Sequence, residues 1–360
     1  MRHTILAALF LTACASTTQS SDRFPSMMKM HCINVGQGAA TLFEFADGIV
    51  LVDTGGEENA TVHSDAMLSD YLDGVFAKRP ELDGKLASLI ITHPHLDHTR
   101  GIPTVLARHP ARNIVTNGQT VGSGAEQQNA LRVWATDHHV PIREVHLEDI
   151  PPGGLTDSVI DPVHGTETDP VITVLWGQVA TDPGWGDAFN KPRFTNCNNH
   201  CVVLRVDFGR ASVLVTGDLE DAAIPDLIKR YQGTGLLDVD AYVVGHHGSA
   251  NGTTPALVAA MSPKVALINV GKPDHEEKYC AWAFGHPRQT VIDMLEAGMT
   301  ATRDPITVPL GLDAKKFEQR TVTKAIYATA WEPFVVLQAQ ADGAIEVVET
   351  RTLSVGAPPQ

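Results

Sequence analysis

Positive charge is scarce in this chain: 27 Lys and Arg stand against 42 Asp and Glu, for a formal net charge of -15. A field of that sign repels polyanions, which excludes capture of long nucleic acid by a general basic surface. Long apolar runs are missing too. The one near the start, from Ile5 to Leu11, is too short to span a bilayer, and no apolar run long enough to cross one follows it. No G-x-S-x-G elbow occurs, so the familiar exposed nucleophilic serine of that motif is excluded. Cysteines number five. Cys197 and Cys201 have the spacing of a zinc-binding pair, but no second pair accompanies them.

At 360 residues and 43% hydrophobic, the chain can bury a large core, and one α/β domain is the simplest arrangement. The start "MRHTILAALFLTACAS" resembles a bacterial lipoprotein signal, with Cys14 as the acylated residue. The sequence thus divides into a signal at 1–13, a polar tether at 14–27 and a domain at 28–360. Loss of the signal would remove Arg2 and move the net charge from -15 to -16. By the same resemblance, Ala15 after the cysteine points to an outer-membrane lipoprotein of the cell envelope facing the periplasm. The four cysteines left, Cys32, Cys197, Cys201 and Cys280, permit two disulfides in an exported chain. A bridge from Cys197 or Cys201 to Cys280 is one pairing, and Cys32 suits a buried free thiol equally well.

Against this background, "LIITHPHLDHTRG" at 89–101 stands out, with His93, His95, Asp97 and His98 inside six positions. So many titratable groups repel one another once charged, so their crowding needs a reward. The run Leu89, Ile90, Ile91 predicts a buried strand, and Gly101 with Pro103 predicts a change from loop to helix. His93 and His95 then leave the strand end on one side, while Asp97 and His98 sit near a helix start. That offers nitrogen and oxygen ligands to one small volume. Zinc, manganese and iron accept such donors.

Two halves of similar style frame the cluster. Strands are predicted in "MHCINVG", "ATLFEFADG" and "GIVLVDTGG", and again in "CVVLRVDFGR", "ASVLVTGDLE", "DAYVVGHHGS" and "KVALINVG". Helical patterns occupy "SGAEQQNALRVWATDHHV", ending at surface His138 and His139, and "DAAIPDLIKRY". The predicted architecture is two mixed sheets packed face to face with helices outside. The Gly- and Pro-rich stretch at 176–200 reads as an irregular loop that walls a site. His200 then begins a strand, Asp218 ends one in "TGD", and His246 and His247 end another in "VVGHHGS". Residues 303–340 match no pattern, and extend a sheet toward "GAIEVVETRTL".

This ordered set resembles the metallo-β-lactamase superfamily, from about residue 30 to about residue 300, and within it the hydrolase domain of ComEC-type competence proteins. The residues carrying the likeness are "INVGQGAATLFEF", "GIVLVDTGG", "ITHPHLDHTRGI", "NHCVVLRVDFGRASVLVTGDLE", "VVGHHGS" and "FGHPRQTVIDML". The resemblance implies a four-layer αβ/βα sandwich and two divalent ions, zinc or manganese. His93, His95 and His200 would hold one ion, Asp97, His98 and His246 the other, and Asp218 would bridge them. His247 stays open as the alternative ligand to His246, and otherwise takes a substrate or proton-transfer role. Asp53 would prop the metal loop, and His286 of the "GHP" stretch would contact a phosphate. Asn34 and Ala39 stand where relatives usually carry Asp, and His200 stands where many carry Asn.

A pair of divalent ions activates water and stabilises charge on a scissile group, so no protein nucleophile is required. Asp97 and Asp218 serve the catalytic centre, and His247 or His286 can protonate a leaving oxygen. The implied activity is a phosphodiesterase acting on small, nucleotide-like or single-stranded substrates, with long duplex DNA disfavoured by the acidic surface. A lactonase or β-lactamase is the enzymatic rival. A membrane-tethered, non-catalytic accessory protein of DNA uptake is the other, though a retired site would lose ligands. The sequence names no protein partner.

Overall fold

The structure, a computed structural model, is described for residues 27–179, 196–332 and 334–349. The expected signal, Cys14 and the tether before Met27 lie outside the described residues, as does most of the expected irregular loop, 180–195.

An eight-stranded sheet runs in spatial order β16 (Ile345–Glu349), β15 (Phe334–Gln340), β1 (Met27–Ile33), β2 (Thr41–Glu44), β3 (Ile49–Val52), β4 (Ser88–Ile91), β5 (Ile114–Thr116) and β6 (Ile142–Glu144). It is antiparallel from β16 to β3 and parallel from β3 to β6. A six-stranded sheet runs β14 (Ile326–Ala328), β11 (Val265–Ile268), β10 (Ala241–Val243), β9 (Ala211–Val215), β8 (Val203–Phe208) and β7 (Pro170–Trp176). It is parallel from β14 to β9 and antiparallel from β9 to β7. Strands β12 (Thr302–Asp313) and β13 (Lys316–Lys324) form a separate hairpin.

Strand alternation assigns each central strand two buried faces. Val50, Val52 and Ile90 point inward and join Val206, Val213, Val215 and Tyr242 of the other sheet in one core. Ile49, Leu51, Leu89 and Ile91 point outward onto Leu68, Leu72, Val105 and Leu131 of the covering helices. On the far side Leu227, Leu257, Met261 and Leu295 of further helices join the inter-sheet core. The result is helix, sheet, sheet, helix. Truncating a central side chain such as Ile90 to Ala should cost about 2–5 kcal/mol.

Residues 303–340 supply several elements. They divide among the hairpin, the edge strand β14 and β15, which pairs with β1 over Met27 to Ile33. The four cysteines at 32, 197, 201 and 280 are buried and unbridged, so the disulfide expectation is corrected. Cys197 meets Val121 O, Cys201 meets the Asp218 amide, and Cys280 meets Glu277 O.

Candidate metal centre

Strands β3 and β4 are parallel neighbours, so the residues following them emerge side by side. Asp53 follows β3, and Thr92 and His93 follow β4. Pro94 interrupts the extended chain, after which the short helix Leu96–Thr99 presents Asp97 and His98. Backbone amides from two other loops fasten this segment: Ala39 N donates to Asp97 O (3.0 Å) and Thr54 N to His98 O (2.7 Å). Gly55 permits the close approach, since a Cβ there would lie 1.9 Å from the Asp97 carbonyl carbon.

Asp53 occupies the left-handed region, φ 61°, which Asp tolerates better than most residues. Its carboxylate accepts from Thr92 N (2.7 Å) and Thr92 Oγ1 (2.8 Å) and stands 2.8 Å from His98 Nδ1. With Nδ1 so held, His98 Nε2 is turned inward, 3.2 Å from Asp218 Oδ1. His247 repeats the arrangement from the other sheet. Its Nδ1 donates to Asn269 O (2.9 Å), and its Nε2 lies 3.4 Å from Asp97 Oδ2 and 3.6 Å from Asp218 Oδ2. Both Nε2 atoms are buried without a hydrogen-bond partner. Buried polar atoms are normally satisfied, so this pair of lone nitrogens facing two carboxylates fits a metal ion.

The donor atoms of Asp97, His98, Asp218 and His247 lie within 4.8 Å of one another. His246 is not in that group: its Nδ1 meets Asn251 Oδ1 at 3.0 Å, and its Nε2 is 3.6 Å from Asp218. The geometry thus brings His247, the alternative, together with Asp97, His98 and Asp218. Strand β10 ends at Val243, and His246, His247 and Gly248 all adopt positive φ, so strand alternation does not decide which imidazole points inward.

His93 and His95 form a second face of the same cleft. His93 Nε2 is 3.1 Å from His95 Nδ1, and the His93 ring lies 4.2 Å from that of His98. His200 does not begin a strand. It closes the turn Cys197–His200 before β8, with Nδ1 accepting from Val179 N at 3.0 Å. His286 is buried, its Nδ1 is 3.2 Å from Gln37 Nε2, and its ring is 6.0 Å from that of His246.

Electrostatics separate these groups. Burial alone would lower His98, but the Asp218 and Asp53 carboxylates override it and hold the imidazole well above its ordinary range. His247 is likewise raised against burial by Asp218 and Asp97. Burial would raise Asp97 and Asp218, yet the surrounding imidazoles hold both below the usual carboxylate range. His93 and His95 are lowered, first by burial. His286 is lowered well below its ordinary range by burial and by the neighbouring His247 and His246.

Residues beyond those expected complete the centre. Thr92, Asn251 and Asn269 orient the imidazoles, and Gln37 holds His286. Glu220 accepts from Asn196, Asn198 and Asn199 at 2.9, 2.8 and 3.3 Å, fixing the turn that carries His200. The side chains sit beside the motifs in sequence, but Asn269 acts through its carbonyl, which leaves no residue-type signal.

The family profile described as "Metallo-beta-lactamase superfamily" matches residues 33–271. The chain belongs to the metallo-β-lactamase superfamily. It is a superfamily hydrolase related to competence proteins, its fold is of the superfamily's type, and the superfamily binds divalent metals. "ComE operon protein 3" of Bacillus subtilis is 25% identical over 308 residues, 81% of this chain and 32% of that one. "Recombination protein 2" of Haemophilus influenzae is 25% identical over 256 residues, 71% of this chain and 25% of that one. "Competence protein ComA" of Neisseria gonorrhoeae is 28% identical over 136 residues, 38% and 18%. The chain thus spans about a third or less of the length of these curated relatives. Among solved structures, the metallo-beta-lactamase fold protein YhfI of Bacillus subtilis aligns with a TM-score of 0.41 and 15% identity, covering 76% of this chain and 93% of that one. No helix among the described residues is long and apolar enough to cross a membrane.

Proposed function

We propose that the chain is a dinuclear, metal-dependent phosphodiesterase acting on small or single-stranded phosphodiesters. The observation that carries the reading is the pair of buried, unpartnered Nε2 atoms of His98 and His247 aimed at Asp97 and Asp218. Asp97, His98 and His247 would hold one divalent ion, zinc or manganese, and His93, His95 and His200 the other, with Asp218 between them. When bound, the ions supply Lewis acidity and an activated water. Asp53 keeps His98 in the tautomer that leaves Nε2 bare.

His246 then takes the substrate-side role first assigned to His247. Its side chain is 21% exposed where that of His247 is 2%, so it can meet a substrate oxygen while His247 stays inside. His286, kept neutral by burial, suits contact with a phosphoryl oxygen through Nε2 while Gln37 holds Nδ1. The phosphodiester class rests on the likeness to competence proteins, since the donor set itself serves any hydrolysis by a metal pair. The net negative charge disfavours long polyanions, so turnover should fall as substrate length rises, and salt should ease the penalty. The reading includes a lipid anchor at Cys14 in a bacterial envelope. Cys14→Ser should move the protein from the membrane to the soluble exported fraction, and unchanged membrane association would remove the anchor from the reading.

A substrate panel tests the activity. Metal-loaded protein should hydrolyse a small aryl phosphodiester, lose that activity to chelator, and act more weakly on long duplex DNA. Robust opening of lactones or β-lactams without phosphodiester turnover would assign it to the rival hydrolases. A metal-loaded protein inert to all of them would point to the accessory role.

A further inference from the structure

We infer that the chain carries a separate, mononuclear site for a zinc-type divalent ion, built from Glu57, His275 and Cys280. One ligand atom from each of these side chains lies within 4.8 Å of the others. The three belong to different kinds, a carboxylate oxygen, an imidazole nitrogen and a thiol sulfur, and zinc accepts all of them. The Glu57 side chain is 3% exposed, that of His275 18%, and Cys280 is fully buried, so the group is not a solvated surface cluster.

The orientation of His275 follows the pattern of the principal centre. There, His98 and His247 give Nδ1 to an acceptor and turn Nε2 inward. His275 Nδ1 stands 2.9 Å from Asp274 Oδ1, and its Nε2 faces Glu57 Oε1. A carboxylate on the far nitrogen fixes the tautomer and raises the basicity of a ligating imidazole. Asn59 Nδ2 also converges on Glu57 Oε1, at 2.5 Å, and lies 3.3 Å from His275 Nε2. One carboxylate oxygen thus gathers the imidazole and the amide. Glu57 and His275 also line a cavity of about 180 Å³, which leaves room for water as a further ligand.

The site joins two loops that the sheets do not otherwise tie. Glu57 follows β3, whereas His275 and Cys280 follow β11. Glu57 Oε2 accepts from Gln37 N (3.1 Å), and the Gln37 side chain holds His286. An ion here would brace the wall of the principal cleft.

Cobalt substitution distinguishes this site from the principal one, whose proposed donors are nitrogen and oxygen only. The full chain loaded with Co(II) should show a thiolate-to-cobalt charge-transfer band in the near ultraviolet. The band should persist in Asp218→Ala and in Cys201→Ser, and disappear in Cys280→Ser together with one equivalent of bound zinc. His275→Gln should weaken the band and provides the same reading should the serine variant not fold. Absence of the band from the wild-type chain, or its survival in Cys280→Ser, would overturn the proposal and leave an ion pair beside a buried thiol. Because the readout is spectroscopic, it stands apart from the outcome for phosphodiester turnover.

Discussion

The two faces of the principal cleft are prepared for cations by opposite means. Around Asp97, His98, Asp218 and His247, carboxylates supply negative charge and raise the proton affinity of both imidazoles. At His93 and His95 burial is the leading influence and lowers both imidazoles, although Asp97 and Asp218 act against it. The first face attracts an ion but must release protons to receive it. The second face needs no such release, but attracts a cation less. The Asp218 charge acts on the imidazoles of both faces, so each face can be tested residue by residue.

The largest effect should come from Asp218. Asp218→Ala should cut turnover by more than about 10³-fold, the scale of losing a transition-state electrostatic element, and bring metal content well below two ions per chain. Elemental analysis beside a rate assay reads both. Next, His247→Ala should lose one ion, while His246→Ala should keep both and slow turnover by about tenfold to a hundredfold through loss of a general acid. Equal metal loss in the two variants would erase the distinction between the adjacent histidines. Asp53→Asn should weaken metal binding on the carboxylate face by about 10–100-fold, as expected for an outer partner of a ligand, and leave the imidazole face unchanged.

A smaller effect concerns pH. His98 and His247 are raised in the folded metal-free chain, so their contribution to stability is full below the ordinary 6.5 and is lost as pH rises through the raised values. Asp97 and Asp218 are lowered, so theirs is full above the ordinary 3.8 and is lost as pH falls through the lowered values. Both operate between about pH 4 and pH 6.5. Metal-free protein should therefore melt highest in that window, whereas the stabilisation added by metal should grow as pH rises and protons leave the ligands. Calorimetry of the two forms across pH 5 to about 8.5 checks the crossing.

How much of this was legible follows the same division. His93, His95, Asp97 and His98 are contiguous, and an apolar strand ahead of them with a helix start behind makes their convergence readable from spacing. Asp218, His200 and His247 lie in separate loops next to β9, β8 and β10, so only the resemblance of the ordered motifs gathers them. The choice between His246 and His247 was hidden because a left-handed turn replaces the strand before either residue is reached. The alternating strands announced two sheets, but not that β15 would cross back to pair with β1, since a period of two names a face and no partner. The disulfide reading failed because an even cysteine count permits bridges without bringing sulfurs together.

The central claim is that two ions held by these faces carry out phosphodiester hydrolysis. It is tested most directly by titrating metal-free protein with zinc or manganese while following hydrolysis of a small aryl phosphodiester and counting bound ions. The account predicts little turnover in the metal-free chain and a rate that rises until both faces of the cleft are filled, with Asp218→Ala flat throughout. Turnover that is indifferent to metal, or undiminished in Asp218→Ala, would contradict it.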